Sequence, residues 1–184
     1  KKNKISFNKF ILLFSLLMWF SQSSYAQKGV ILADTDHVKM YSTKVKDTFN
    51  IYVAFPLSYN RTPATTKYRT LYVLDANVTF GMVRDIQTLL SFEPNNPQTL
   101  VVGIGYKDFR SWIRKRFRDY MPNKVVKYPS SGKGKDFTDY LEQELFPFID
   151  KNYKANSQKI IYGHSTAALI GFYALFEKTN LFDG

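Results

Sequence analysis

The sequence contains no cysteine. Disulfides and thiolate metal sites are therefore excluded, and so is the lipid anchor that a bacterial lipoprotein carries on a Cys at its cleavage point. Histidine is scarce, with only His37 and His164, so chemistry that needs an imidazole has two candidates in these residues. Acidic residues are outnumbered, 15 Asp and Glu against 26 Lys and Arg, giving a formal charge of +11. The apolar stretch Phe10 to Phe20 is too short for a membrane span, which needs ~20 residues. There is no cluster of metal ligands and no glycine loop for a phosphate. Gly103-Ile104-Gly105 lacks the third glycine of a dinucleotide fingerprint. No cofactor is expected. Position 1 is not Met, so the N-terminus is expected to be slightly incomplete.

The first 26 residues have the layout of a secretory signal. Lys1, Lys2, Lys4 and Lys9 form a basic start, Phe10 to Phe20 an apolar centre, and Ser24-Tyr25-Ala26 a small-x-small cleavage site. The mature protein would begin at Gln27, be periplasmic or secreted, and keep no stable membrane anchor. Its 158 residues fit one domain, and with 45% hydrophobic residues in the whole chain it can build a core. Removing the four signal lysines lowers the charge to about +7 by the same count. Residues 107–135 alone hold ten Lys or Arg and two Asp, so the excess is a local patch.

Short runs rich in β-branched and aromatic residues predict strands at 38–41 and 49–55. Arg69 to Leu74 and Thr99 to Ile104 are almost continuously apolar, as in strands buried on both faces. Val78, Met82, Val83, Ile86, Leu89 and Leu90 recur at helical spacing and predict a helix over 78–91. Phe137, Tyr140, Leu141, Leu145, Phe148 and Ile149 predict another over 135–152, with Pro147 an irregularity near its end. Residues 106–134 read as a long polar connection. A strand over 159–162 and a helix over 166–178 close the series. Buried strands alternating with helices predict an α/β fold, a mostly parallel sheet covered on both faces with an antiparallel leading edge.

Gly163-His164-Ser165-Thr166-Ala167 lies between that last strand and helix. A serine at a strand-to-helix turn flanked by small residues is the pattern of a nucleophile elbow. The turn lifts the hydroxyl above the sheet and points the next N–H, that of Thr166, at a developing oxyanion. The plain alternative is an ordinary turn serine. A serine hydroxyl needs an adjacent base. His164 leaves the backbone in a different direction and His37 is remote in this topology, so both are read as structural. Three readings stand for the basic stretch 107–135. It is a solvated loop; or a pocket wall for anionic or phenolic ligands, with Trp112, Arg116 and Arg118 as candidates; or a nucleic-acid or membrane-surface patch. The last ranks lowest, because an exported chain rarely meets nucleic acid.

Several segments together resemble the "Putative esterase" family of α/β-hydrolases, which includes esterase D-like, enterochelin-esterase-like and mycolyltransferase-like enzymes. Leu71 to Ala76 is similar to a strand ending in Leu-Asp-Gly, and Val102 to Tyr106 to a "VGIGY" strand end. Arg116 to Pro122 is similar to R-x-R-D-Y-T-P, Phe137 to Tyr153 to the helix before the nucleophile strand, and Gly163 to Leu169 to G-H-S-x-G-G-L. The resemblance runs from about residue 37 to the end. It implies an acyl-enzyme on Ser165, with Thr166 and Asn77 as backbone donors to the oxyanion and a small-molecule ester as substrate. An N-cap role for Asn77 is the alternative. Ala76 stands where the family has Gly, and Ala167-Ala168 where it has Gly-Gly. The family's acid and His follow the nucleophile helix, so they would lie beyond Gly184. Residues 27–184 are thus expected to be the N-terminal part of the esterase domain, inactive by themselves and exposing the nucleophile strand as a sheet edge. The rival expectation is a non-catalytic relative that only binds.

Overall fold

The computed structural model describes residues 32–184, so the signal expected over residues 1–26 lies outside it. Strands β1 (Thr35–Ser42) and β2 (Asp47–Ala54) form an antiparallel hairpin. β2 pairs antiparallel with β4 (Thr99–Gly105). β4 pairs parallel with β3 (Tyr68–Val73), and β3 parallel with β5 (Ala155–Tyr162). The sheet order is β1-β2-β4-β3-β5. The antiparallel edge and parallel remainder agree with the sequence reading.

Helix α1 (Ala76–Leu90) returns the chain from β3 to β4. After β4 come α2 (Phe109–Tyr120), α3 (Gly134–Tyr140), a π-helical turn (Leu141–Leu145) and α4 (Phe146–Asn152). After β5 a 3-10 turn (Ser165–Ala167) leads into α5 (Ala168–Glu177). No described helix is long and apolar enough to cross a membrane.

The pleat of the central strands sends alternate residues to opposite faces, and both are covered. On one face Leu71, Val73 and Val101 pack with Phe80 and Val83 of α1. On the other, Phe49, Ile51, Tyr72, Val102 and Ile104 belong to one core with Phe137, Tyr140, Leu141, Ile149 and Ile170. Each such side chain contributes ~1.5–3 kcal/mol on full burial, which is how a cysteine-free chain is held together. Pro147 is accommodated by the π turn just before it. Phe146 N–H reaches five residues back to the Leu141 carbonyl, which loosens the turn where a proline ring would otherwise clash.

Three details correct the sequence reading. The stretch 106–134 is not one irregular connection, because it contains the twelve-residue α2. Its buried residues are Ser111, Asp119 and Tyr120, so the inward face is largely polar and invisible to apolar periodicity. Helix α1 turns Ala76, Phe80 and Val83 to the sheet and leaves Val78, Met82, Ile86 and Leu89 exposed. Gly103 decides that rotation: a Cβ there would lie 2.6 Å from the Phe80 ring, so only a bare backbone lets Phe80 settle against the sheet. The outer edge of β5 is also not bare. Asp183 N–H donates to the Lys159 carbonyl, and Ile161 N–H donates to Gly184.

Candidate active site

β3 and β5 lie side by side and end together. The last backbone bond between them runs from Leu74 N–H to the Tyr162 carbonyl. Three residues beyond Tyr162 stands Ser165, and three beyond Leu74 stands Asn77. The parallel register thus brings the predicted nucleophile and the predicted oxyanion loop to the same end of the sheet.

Ser165 has φ 58°, in the left-handed region that L side chains rarely adopt. This is the sharp strand-to-helix turn expected of an elbow. Ser165 is exposed, and its hydroxyl makes no hydrogen bond among the described residues. Gly163 is required by close approach, since a Cβ would sit 2.8 Å from both the carbonyl carbon and oxygen of Ala167. Ala167 itself is fully buried. The Ala167 N–H donates to the His164 carbonyl, whereas Thr166 N–H has no acceptor among the described residues.

The other half of the site is the turn after β3. Asp75 also lies in the left-handed region, with φ 56°, and occupies the N-cap position of α1. Its carboxylate does not cap the helix. It accepts from Trp112 Nε1 at 2.6 Å, Arg116 Nε at 3.1 Å and Arg116 Nη2 at 2.7 Å. The Asp75 N–H donates to Tyr120 Oη. All three partners come from α2, which the Asp108 side chain caps by accepting from Ser111 N–H at 2.7 Å. Burial disfavours the Arg116 charge, yet the Asp75 carboxylate outweighs it and holds the Arg116 pKa above its ordinary value.

Asn77 does not cap the helix either. Its amide is paired with Tyr106 at the end of β4: Nδ2 donates to the carbonyl at 2.9 Å, and Oδ1 accepts the N–H at 2.7 Å. Asn50 on β2 donates to the same carbonyl. The Asn77 backbone N–H, in the first turn of α1, has no acceptor among the described residues. Asn77 and Thr166 thus each leave a backbone N–H without an acceptor among the described residues at a helix start.

The three predicted pocket-wall residues are all engaged by carboxylates. Trp112 and Arg116 hold Asp75. Arg118 pairs with Asp119 at 2.6 Å and with Asp47 at 2.9 Å. Asp119 is fully buried and also accepts from Tyr106 Oη. Burial raises its carboxyl above the usual range despite the Arg118 pair. Of the two histidines, His164 is exposed beside Ser165, and His37 lies on β1 with Nε2 3.1 Å from Asn50 Oδ1. No group of described His, Asp or Glu residues could hold a metal. A groove of about 350 Å³ lies behind the elbow, between β5 and α5; it is lined by Ile161, Gly163, Phe172 and Phe182 but not by Ser165, Thr166 or Asn77. Sequence reasoning missed Asp75 and Tyr106 as site residues. The one local sign was Asp75 at a strand end before a helix.

The model of the family described as "Putative esterase" matches residues 42–183. The chain belongs to this esterase family. Its α/β-hydrolase-type fold is shared with solved structures. The BES protein from Bacillus cereus is 26% identical, with TM-score 0.75, covering 85% of this chain and 61% of its own. An IroE-like serine hydrolase from Shewanella oneidensis is also 26% identical, with TM-score 0.72 and coverage of 80% and 48%. The siderophore hydrolase EstB from Aspergillus nidulans, at 20% identity and TM-score 0.73 over 85% and 57%, shows the fold alone. This chain therefore spans about half to three-fifths of the length of these esterase-fold proteins. No curated protein matches it.

Proposed function

We propose that the protein is an exported serine hydrolase of small carboxylic esters, with Ser165 as its nucleophile. The observation that carries this is the strained Ser165 turn, at the same end of the sheet as two N–H donors that have no acceptor among the described residues. Ser165 Oγ attacks the ester carbonyl carbon while its proton passes to a base. The carbonyl oxygen becomes an oxyanion held by Thr166 and Asn77 N–H. The oxyanion collapses, the alcohol leaves with the proton from the base, and water then resolves the acyl-enzyme. Residues 32–184 offer no imidazole bonded to Ser165, so this reading calls for a His and an acid from outside them. Residues 27–184 alone are then expected to turn over no ester. Export rests on the signal-like composition of residues 1–26.

A fluorophosphonate probe on the full native chain tests the reading. Labelling that disappears in Ser165→Ala supports it; no labelling, or labelling that survives the substitution, defeats it. The rival, a relative that binds but does not cleave, is favoured by one observation: the Ser165 hydroxyl touches no base among the described residues. It predicts a folded full-length protein that the probe leaves unmarked.

A further inference from the structure

The two donors of the candidate oxyanion hole belong to separate segments. Thr166 directly follows Ser165, at φ 58°, and Asn77 stands two residues after Asp75, at φ 56°, both non-glycine residues in the left-handed region. Such residues persist only where their surroundings over-determine them. Beyond the Leu74–Tyr162 bond, the backbones of β3 and β5 share no hydrogen bond. Among the side-chain hydrogen bonds of the described residues, those of Arg116 reach both turns. Arg116 grips the Asp75 carboxylate through Nε and Nη2, and the same Nη2 lies 3.5 Å from the His164 carbonyl, one residue before the nucleophile.

The guanidinium is suited to this task. Its fork fits a carboxylate in two parallel bonds, so it fixes an orientation as well as a distance. Trp112 and Tyr120 hold Asp75 from the same helix, which makes α2 a rigid backing for the pair. Its charge is met by Asp75, so Arg116 is poorly placed to attract an anionic substrate.

We propose that Arg116 is a positioning residue that sets the separation of the Asn77 and Thr166 N–H donors by tying the Asp75 turn to the elbow. The proposal rests on the reading of Ser165 as nucleophile. Donors act on an oxyanion only within about 2.7–3.1 Å, so a shifted turn weakens transition-state stabilisation and leaves ground-state binding alone. The arginine acts through the two turns and touches no reacting atom.

The test uses the full native chain, with sites counted by fluorophosphonate titration and turnover expressed per titrated site. Arg116→Lys keeps the charge but loses the fork. Its kcat per site is expected to fall roughly 10- to 100-fold with KM little changed, the loss typical of a displacement near 1 Å. The ³¹P resonance of the phosphonylated Ser165 is expected to move, because the phosphoryl oxygen occupies the place of the oxyanion. Arg110→Lys, on the exposed face of the same helix, leaves both turns untouched and is expected to stay within about threefold of the parent protein. A merely structural role would instead lower the number of titratable sites and leave turnover per site intact; that result overturns the proposal. A rise in KM with kcat retained also overturns it, in favour of a ligand contact. If the parent protein is not labelled at Ser165, the nucleophile reading itself fails and takes this inference with it. Should Arg116→Lys fold poorly, Asp75→Asn, which keeps the shape but weakens the pair, is expected to give the same kcat-only loss; unchanged kcat per site there is equally decisive against it.

Discussion

The turn after β3 and the turn after β5 each place a non-glycine residue in the left-handed region, but they are held in opposite ways. Asp75 is nearly buried and is gripped by side chains: Trp112, Arg116 and Tyr120 all reach it from α2. Ser165 is exposed and has no side-chain partner among the described residues; its turn is fixed by backbone crowding between Gly163 and Ala167. The first turn depends on charge and hydrogen bonding, the second on the absence of a Cβ. A reactive hydroxyl has to stay accessible, so the strain at Ser165 is borne by its neighbours. The proposed oxyanion loop has to offer only a backbone N–H, so its side chains are free for anchoring.

The largest effect is expected where the side-chain-held turn loses its charge partner. Asp75→Ala leaves the half-buried Arg116 uncompensated and should cost about 3 kcal/mol. In a domain of this size that is a fall in Tm of roughly 6–12 °C, measurable by calorimetry. A fall under about 3 °C would mean that the turn is held by backbone after all. Next comes Gly163→Ala, which drives a Cβ to 2.8 Å of the Ala167 carbonyl. About 2 kcal/mol of overpacking is expected, together with loss of fluorophosphonate labelling in the full chain as the elbow opens. Retained labelling and stability would show that the close approach does not fix Ser165.

The smallest effect is expected far along α5. Lys178 ties that helix to α3 and the π turn through Asp139, at 2.6 Å, and Glu142. Burial would raise the Asp139 carboxyl, but the bonds from Lys135 and Lys178 prevail and hold it below its ordinary 3.8. A depressed carboxylate stabilises the fold above its unfolded pKa, and that contribution is lost as pH falls through the folded value. Lys178→Ala should therefore cost only ~0.5 kcal/mol at pH 7, because the pair is partly solvated. The difference from the parent should shrink as pH falls below the ordinary 3.8 and vanish once pH passes the lowered folded value. A deficit undiminished in acid would show that the Lys178 stem, and not its charge, anchors α5.

How much could be read without coordinates differs from element to element. β3 and β4 were legible because strands buried on both faces need unbroken apolar runs. The elbow was legible because Gly163, Ser165 and Ala167 meet a purely local steric demand. Helix α2 was not, since its inward face is Ser111, Asp119 and Tyr120, and its buried charges gain meaning only from partners elsewhere in the chain. The rotation of α1 was not legible either: its apolar residues span more than one face, and the gap left by Gly103 on another strand decides which face is buried. The pairing of the Asn77 amide with Tyr106, 29 residues away, had no local signal.

By itself the sequence determined the order of the strands and of the helices other than α2, the serine at the strand-to-helix turn and the absence of any cysteine or metal chemistry built on it. These follow from periodicity and from the short-range sterics of a few neighbouring residues. Only the tertiary structure decided that Asp75 meets Arg116 across 41 residues, and that the basic and aromatic residues Trp112, Arg116 and Arg118 face carboxylates of their own chain. Charge does not reveal its partner in one dimension; the parallel register of β3 against β5 and the seating of α2 bring the groups within bonding distance.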